Sequence, residues 1–246
     1  MILPGTSPDE IFRAMMREQE KVVYATNKII NKAKKAFFRC NRFPYIYTEL
    51  YTVPDSKNTY LLYYYSDSKE AAMYDAVHTG NVLLVNEDNG SRSVYRIRKF
   101  SDVMAEKSIF EKRYDLLTHF TGHFFSRYRE RGGISNEYSP LELIGLYFGR
   151  NGYFEAKLYE DNVVKFPDKY KDCAAFQVRD GIIFGSEETR DNLFYMINRT
   201  FVSHSMLKDN QAGHVMSPGL LYDYVDALKS GTIIHNKDCY SNKFKI

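Results

Sequence analysis

The stretch that decides the fold covers residues 45–65 and reads YIYTELYTVPDSKNTYLLYYY. Its two ends, 45–53 and 60–65, are rich in aromatic and β-branched residues, which favour a pleated, partly buried surface. The segment between them, 54–59, contains Pro, Asp, Ser and Asn, which are typical of turns. We therefore predict two paired strands joined by a short turn.

A second pair of strands follows this stretch. Residues 82–85 and 94–97 are apolar and β-branched, and they flank Asn89-Gly90, a dipeptide that favours the turn of a β-hairpin. The sequence therefore predicts a mostly antiparallel sheet that continues to about residue 100.

A long helix is predicted before these strands. Residues 7–38 repeat apolar side chains at three- and four-residue steps, which is the period of an amphipathic helix. Ser7, Pro8 and Glu10 supply an N-cap, a first-turn proline and a capping-box acid. We expect the apolar side of this helix to pack on the chain itself, on a second copy or on a protein partner.

The end of this helix is strongly basic. From residue 28 to residue 42 there is no acid and there are six cations: Lys28, Lys32, Lys34, Lys35, Arg39 and Arg42. Cations are favoured at a helix C-terminus and on a solvated helix face, which is one interpretation. A phosphate-binding surface is the other, and it makes Lys35 and Arg39 candidate phosphate-binding residues.

The chain after residue 100 contains another helix start. Ser139, Pro140 and Glu142 repeat the cap, proline and acid signature, and Gly149 is predicted to end this helix.

Strand patterns follow that helix. Residues 174–178 and 182–184 flank an Asp-Gly turn at 180–181, and residues 196–203 are typical of a further strand. A last amphipathic helix is predicted over residues 217–231.

Together these elements predict an α+β fold, with a long N-terminal helix and antiparallel sheet followed by helices packed on a second antiparallel sheet. We place a domain boundary near residue 100, which gives units 1–100 and 101–246, because helical spacing returns there. No Pro-, Gly- or Ser-rich linker marks the boundary, so one continuous domain is the alternative.

The most suspicious chemistry lies in residues 118–131, which read THFTGHFFSRYRER. On a helix, His119, His123, Arg127 and Arg131 form one polar stripe, because steps of four return to nearly the same face. Cations at this spacing repel one another, so an anion such as a phosphodiester is an apt occupant. The alternative is a core His119, one Arg neutralised by Glu130, and a solvated remainder.

A second group of candidates lies on the strand predicted near the end of this region. Alternation places Thr200 and His204 on one face if the strand extends through residue 204. They are then able to face one pocket, although Thr and a terminal His are also common in strands without any catalytic purpose.

These residues carry a resemblance to a known group of families. His123, Arg127 and Arg131, followed by Gly-Gly-Ile-Ser, a helix and antiparallel strands, resemble the small toxin-like families related to RelE and colicin-type ribonucleases. The resemblance covers residues 118–204, about a third of the chain, and leaves the long N-terminal helix outside it. It implies one or two helices before a curved antiparallel sheet, and cleavage of RNA without a metal or other cofactor.

The resemblance also implies roles for single residues. The ribose 2′-hydroxyl would attack the adjacent phosphate with one histidine as base and another as acid, while Arg127 and Arg131 stabilise the phosphorane. Arg131 is the candidate phosphate ligand. The candidate catalytic residues are His119, His123, Arg127, Thr200 and His204.

A non-enzymatic interaction protein, such as a phage or mobile-element factor that binds nucleic acid or a host protein, is the alternative function. The basic end of the first helix and the content of 21 Tyr and 17 Phe favour it, since exposed Tyr rings are stacking surfaces. Convergence of the predicted catalytic residues favours the enzyme, whereas residues that point apart favour binding.

Other enzyme classes lack their motifs. His119 and His123 have the spacing of helical metal ligands, but Phe120 occupies the position of the Glu in zinc proteases. No GxxxxGK[ST] or GxGxxG phosphate loop and no GxSxG nucleophile elbow occurs. We therefore expect no metal site, no nucleotide-binding fold and no serine hydrolase.

The bulk composition sets the environment. A net charge of +3 is too small to identify a nucleic-acid binder, so any electrostatic argument must be local. Cys40, Cys173 and Cys239 are odd in number and far apart, which favours a reducing compartment and hence a cytoplasmic protein. No run of residues approaches about 18 apolar positions, so we expect no membrane partner.

Overall fold

The computed structural model describes residues 1–73, 78–99, 115–151, 156–158, 173–190 and 193–207. The helices in this part of the chain are α1 (Pro8–Lys28), α2 (Ile30–Arg39), α3 (Lys69–Met73), α4 (Phe124–Arg131) and α5 (Pro140–Asn151). Its strands are β1 (Tyr45–Thr52), β2 (Thr59–Ser66), β3 (His78–Asn86), β4 (Arg92–Lys99), β5 (Asp115–Phe120), β6 (Ala156–Leu158), β7 (Cys173–Val178), β8 (Gly181–Arg190) and β9 (Leu193–Ser203). A 3₁₀ turn, His204–Met206, follows β9.

The strands form one mixed sheet in the order β1-β2-β3-β4-β5-β9-β8-β7-β6. All neighbouring pairs are antiparallel except β5 and β9, which run parallel with Phe120 opposite Asn198. The α+β class is as predicted. The two separate sheets are not found among the described strands, because β5 pairs with β4 on one side and with β9 on the other. The predicted boundary near residue 100 borders residues 100–114, which lie outside the described residues, and the division into domains stays a prediction.

The sheet is covered on both faces in its first half. Along β2, Leu61 and Tyr63 belong to the core under α4 and α5, whereas Tyr60, Leu62 and Tyr64 belong to the core under α1 and α2. This alternation follows from the strand period of two. It explains why residues 60–66 are all buried, although the strand carries four Tyr residues.

The single helix predicted over residues 7–38 is interrupted. α1 ends at Lys28 and α2 begins at Ile30. The hydroxyl of Tyr64 donates to the carbonyl of Thr26, the group that an unbroken helix pairs with the N–H of Ile30. This contact from β2 lies where the two helices separate.

The helix predicted over residues 118–131 is wrong in its first part. Residues 115–120 form β5, whose backbone pairs with strands on both sides, and the helix starts only at Phe124. A short apolar segment such as this fits either period, and pairing with two neighbours decides for the strand. His119 consequently lies on a different element from Arg127 and Arg131, and the predicted polar stripe does not exist.

The other predicted elements are mostly confirmed. Ser139 and Glu142 form the expected reciprocal cap at the start of α5. The helix continues past Gly149 to Asn151, so Gly149 does not end it. Gly149 instead lies where a Cβ would collide with the ring of Tyr65. The hairpins β3–β4 and β7–β8 form as predicted. The helix predicted over 217–231 lies outside the described residues.

Candidate functional site

His119 lies in the centre of the sheet, on the face covered by α1 and α2. Its Nδ1 is 3.0 Å from the hydroxyl of Tyr195, and its Nε2 is 3.0 Å from the hydroxyl of Ser93. The imidazole stacks on the ring of Tyr95, with centroids 4.4 Å apart. Burial lowers the pKa of His119 to about 4, and the charge of Arg199 acts in the same direction. His119 is therefore neutral at pH 7 and has partners for both ring nitrogens.

His123 and Arg127 lie on the solvent side of α4. His123 is the exposed residue before the helix, and its carbonyl accepts from the hydroxyl of Ser126. The guanidinium of Arg127 binds the carboxylate of Glu130 at 2.8 Å, with side chains 48% and 65% exposed. Arg127 is thus tied to an acid on an open surface, as the alternative interpretation of the sequence expected.

Arg131 and Thr200 are two predicted site residues that the structure brings into contact. The guanidinium donates to the Thr200 hydroxyl at 3.1 Å and to the carbonyl of Phe201 at 3.0 Å. The pairing of β9 with β5 reaches only Asn198, so these acceptors lie beyond its end. Arg131 thereby fastens the last turn of α4 to β9.

His204 lies outside the strand that was predicted to carry it. β9 ends at Ser203, and the Nε2 of His204 is 3.2 Å from the carbonyl of Arg179 in the β7–β8 turn.

The predicted catalytic histidines do not contact the predicted arginines or Thr200 in the described part of the chain. Within the described part of the chain, no side-chain hydrogen bond, ion pair or ring contact joins the imidazoles at 119, 123 and 204 to the side chains at 127, 131 and 200. The proposed base and acid are therefore not gathered around the guanidiniums.

A largely buried polar cluster between α4, α5 and the β7–β8 turn was not predicted from the sequence. Asp180 is at its centre and accepts from the Tyr128 hydroxyl at 2.6 Å, from Arg150 at 2.8 Å and from the Asn151 amide at 2.9 Å. Burial and the charge of Asp180 raise the pKa of Tyr128, which keeps its hydroxyl a hydrogen-bond donor. The Asp-Gly turn was visible in the sequence, but its helical partners are far away in the chain. The cluster holds this turn against both helices.

A cavity of about 170 Å³ lies beside α1, where β3 and β4 separate. The two strands pair only from Leu83–Tyr95 to Asn86–Arg92 and diverge beyond Leu83. The described lining of the cavity includes Gln19, Asn81 and Arg96 but no Asp, Glu, His or Cys. The described lining thus provides no carboxylate, imidazole or thiol as a general base, and besides Arg96 its titratable residues are Tyr60 and Tyr63.

The C-terminal end of α1 and the exposed side of α2 carry cations without acidic partners among the described residues. Of the six basic residues in 28–42, Lys32 binds Glu49 at 2.8 Å and Arg42 binds Glu137 at 2.5 Å. Three further cations are exposed, and no acid pairs with them in the described part of the chain. We call these three the basic surface: Lys28, Lys35 and Arg39.

A metal-binding cluster and a membrane-spanning helix are both absent from the described residues. No three His, Cys, Asp or Glu side chains gather there closely enough to hold a metal ion. None of the described helices combines the length and apolar character needed to cross a membrane.

Comparison with known proteins identifies no relative of this chain. A scan of protein-family models finds no match to this chain, and searches of curated proteins and of solved structures find none either.

Proposed function

We propose that this protein binds nucleic acid through the basic surface and acts without cleaving it. The observation that carries the proposal is the presence of three exposed cations without an acidic partner among the described residues, beside two cations that have one. Lys offers phosphate a point charge, and Arg offers it a bidentate fork. A phosphodiester backbone supplies the anions that this surface lacks.

The spacing of the cations on α2 supports an external anion. Lys32, Lys35 and Arg39 follow one another at three- and four-residue steps, so their side chains are neighbours on the helix. Like charges at these steps cost a few tenths of a kcal/mol per pair. Glu49 relieves this repulsion at Lys32, whereas a bound phosphate would relieve it at the other two.

The test measures how RNA binding depends on salt concentration. The binding of a short labelled oligouridine is monitored by fluorescence anisotropy in EDTA. Each phosphate contact to a single strand contributes roughly 0.7 to the slope of log K against log salt. We expect the Lys35→Gln/Arg39→Gln variant to bind more weakly and to lose roughly 1.4 from that slope. The matched control, Arg13→Gln/Arg17→Gln, removes equal charge from the exposed side of α1 and should bind like the parent. Equal affinity and slope in parent and α2 variant would remove the proposal.

The metal-independent ribonuclease reaction remains a prediction as the second candidate. The contact between Arg131 and Thr200 favours it, because the resemblance assigns both residues to the site. Its test is incubation of the purified protein with RNA in EDTA. Cleavage by the parent protein that is lost in His123→Ala would support the reaction. RNA that stays intact with both the parent and His123→Ala would exclude it.

A further inference from the structure

Two exposed aromatic rings accompany the basic surface. The side chain of Tyr24 is 69% exposed and that of Phe38 is 44% exposed. Tyr24 lies four residues before Lys28 on α1, and Phe38 lies three residues after Lys35 on α2. Residues at these steps are neighbours on a helix surface, so each ring adjoins a cation.

Neither ring takes part in the aromatic contacts of the described residues. The adjacent residue Phe37 is fully buried and packs edge-on against Tyr45, with ring centroids 5.5 Å apart. By contrast, Phe38 has no ring contact and Tyr24 has no hydrogen bond with any described residue. The two rings therefore present accessible faces to a ligand.

We propose that the basic surface binds single-stranded rather than duplex nucleic acid, with unpaired bases stacked on Tyr24 and Phe38. This inference rests on the proposed function and specifies its ligand. The bases of a duplex are already stacked on one another, whereas the faces of unpaired bases are free to stack on aromatic side chains. Each ring adjoins a cation, so phosphate contacts and stacking surfaces would serve the same nucleic-acid strand.

Stacking on aromatic rings is tolerant of sequence, because every base has a π-face. We therefore expect similar affinity for oligouridine and for a mixed-sequence strand without self-pairing. Both RNA and DNA single strands satisfy this chemistry, and parallel titrations of the two show whether the 2′-hydroxyl adds affinity.

The experiment titrates the full chain against single-stranded RNA and against a duplex of the same length. The test variant, Tyr24→Leu/Phe38→Leu, removes the rings and keeps residues that favour helices. Tyr24→Phe keeps a ring, and Leu50→Ala removes an exposed apolar side chain on β1 as a second control. We expect about tenfold weaker single-strand binding for each ring removed, little change in duplex binding, and parental behaviour for both controls.

The outcomes separate this inference from the proposed function. Equal affinity for single strand and duplex, unchanged by loss of the rings but reduced by Lys35→Gln/Arg39→Gln, would overturn the single-strand specificity and leave the basic surface intact. Absence of binding to either nucleic acid would overturn the proposed function and this inference with it. Preference for the single strand that depends on both rings would support both.

Discussion

The guanidinium of Arg131 donates to the hydroxyl of Thr200 at 3.1 Å and so joins the last turn of α4 to β9. A second donation, to the carbonyl of Phe201, reinforces this contact. Removing the guanidinium leaves partly buried acceptors without their donor, at a cost of about 1–3 kcal/mol. We expect Arg131→Leu to lower the free energy of unfolding in urea by that amount.

Arg127→Leu is the matched control for this variant. Arg127 pairs with Glu130 on an open surface, and such a pair contributes at most about 1 kcal/mol. Equal stability of the two variants would contradict the structural role assigned to Arg131.

His119 should make the stability of the protein depend on pH. Its pKa is lowered from 6.5 to about 4 in the folded chain, so the unfolded chain binds more protons between these values. The contribution of neutral His119 is fully present above pH 6.5 and is lost as pH falls towards 4, with a total on the order of 3 kcal/mol.

The measurement is urea unfolding at several pH values from 7 down to 4, the range set by the pKa of His119. We expect the pH dependence of His119→Gln to be weaker than that of the parent across this window. His123→Gln, at an exposed position, should keep the parental dependence. A parental slope in His119→Gln would show that another group accounts for it.

Removing one hydrogen bond from the Asp180 cluster should lower the stability of the protein and leave its packing intact. Tyr128→Phe removes the hydroxyl that donates to Asp180 and keeps the ring that contacts Tyr147 and Phe201. A hydrogen bond to a charged group contributes about 1.5–3 kcal/mol, so the free energy of unfolding should fall by that amount. Tyr24→Phe removes an exposed hydroxyl and should change nothing measurable. Parental stability of Tyr128→Phe would mean that the cluster adds no net stability.

Replacing Thr118 should raise the stability of the protein. Its side chain is fully buried on β5, and its hydroxyl has no hydrogen-bond partner among the described residues. Val has nearly the same shape without the polar group, so Thr118→Val should raise the free energy of unfolding by about 1 kcal/mol. A thermal unfolding scan measures the change. A lower midpoint would indicate that a polar ligand, such as a buried water, satisfies the hydroxyl.

Local patterns were sufficient to predict much of the fold. The reciprocal caps at Ser7 and Ser139, and the turn at Asn89-Gly90, place helix starts and a hairpin correctly because these signals act within a few residues. The break between α1 and α2 was not predictable in this way. The Tyr64 hydroxyl, which donates to the Thr26 carbonyl beside the break, belongs to a residue 38 positions further along the chain.

The candidate site shows the same division. Lys35 and Arg39 were identified from composition alone. Composition does not show which of the neighbouring cations pair with an acid. The fold brings Glu49 to Lys32 on α2, and Glu137 to Arg42 beyond its C-terminal end. The segment around His119 was misassigned because a short apolar run fits both a helix and a strand. Its pairing with β9 joins residues far apart in the chain, and no local pattern reports it.

The most direct test of the nucleic-acid interface is photo-cross-linking of the full chain to single-stranded RNA that contains 4-thiouridine, followed by mass spectrometry of the cross-linked peptides. We expect cross-links at Tyr24 and Phe38 that disappear in the Lys35→Gln/Arg39→Gln variant. Cross-links confined to residues 118–131, or none at all under conditions in which the RNA is bound, would contradict this expectation.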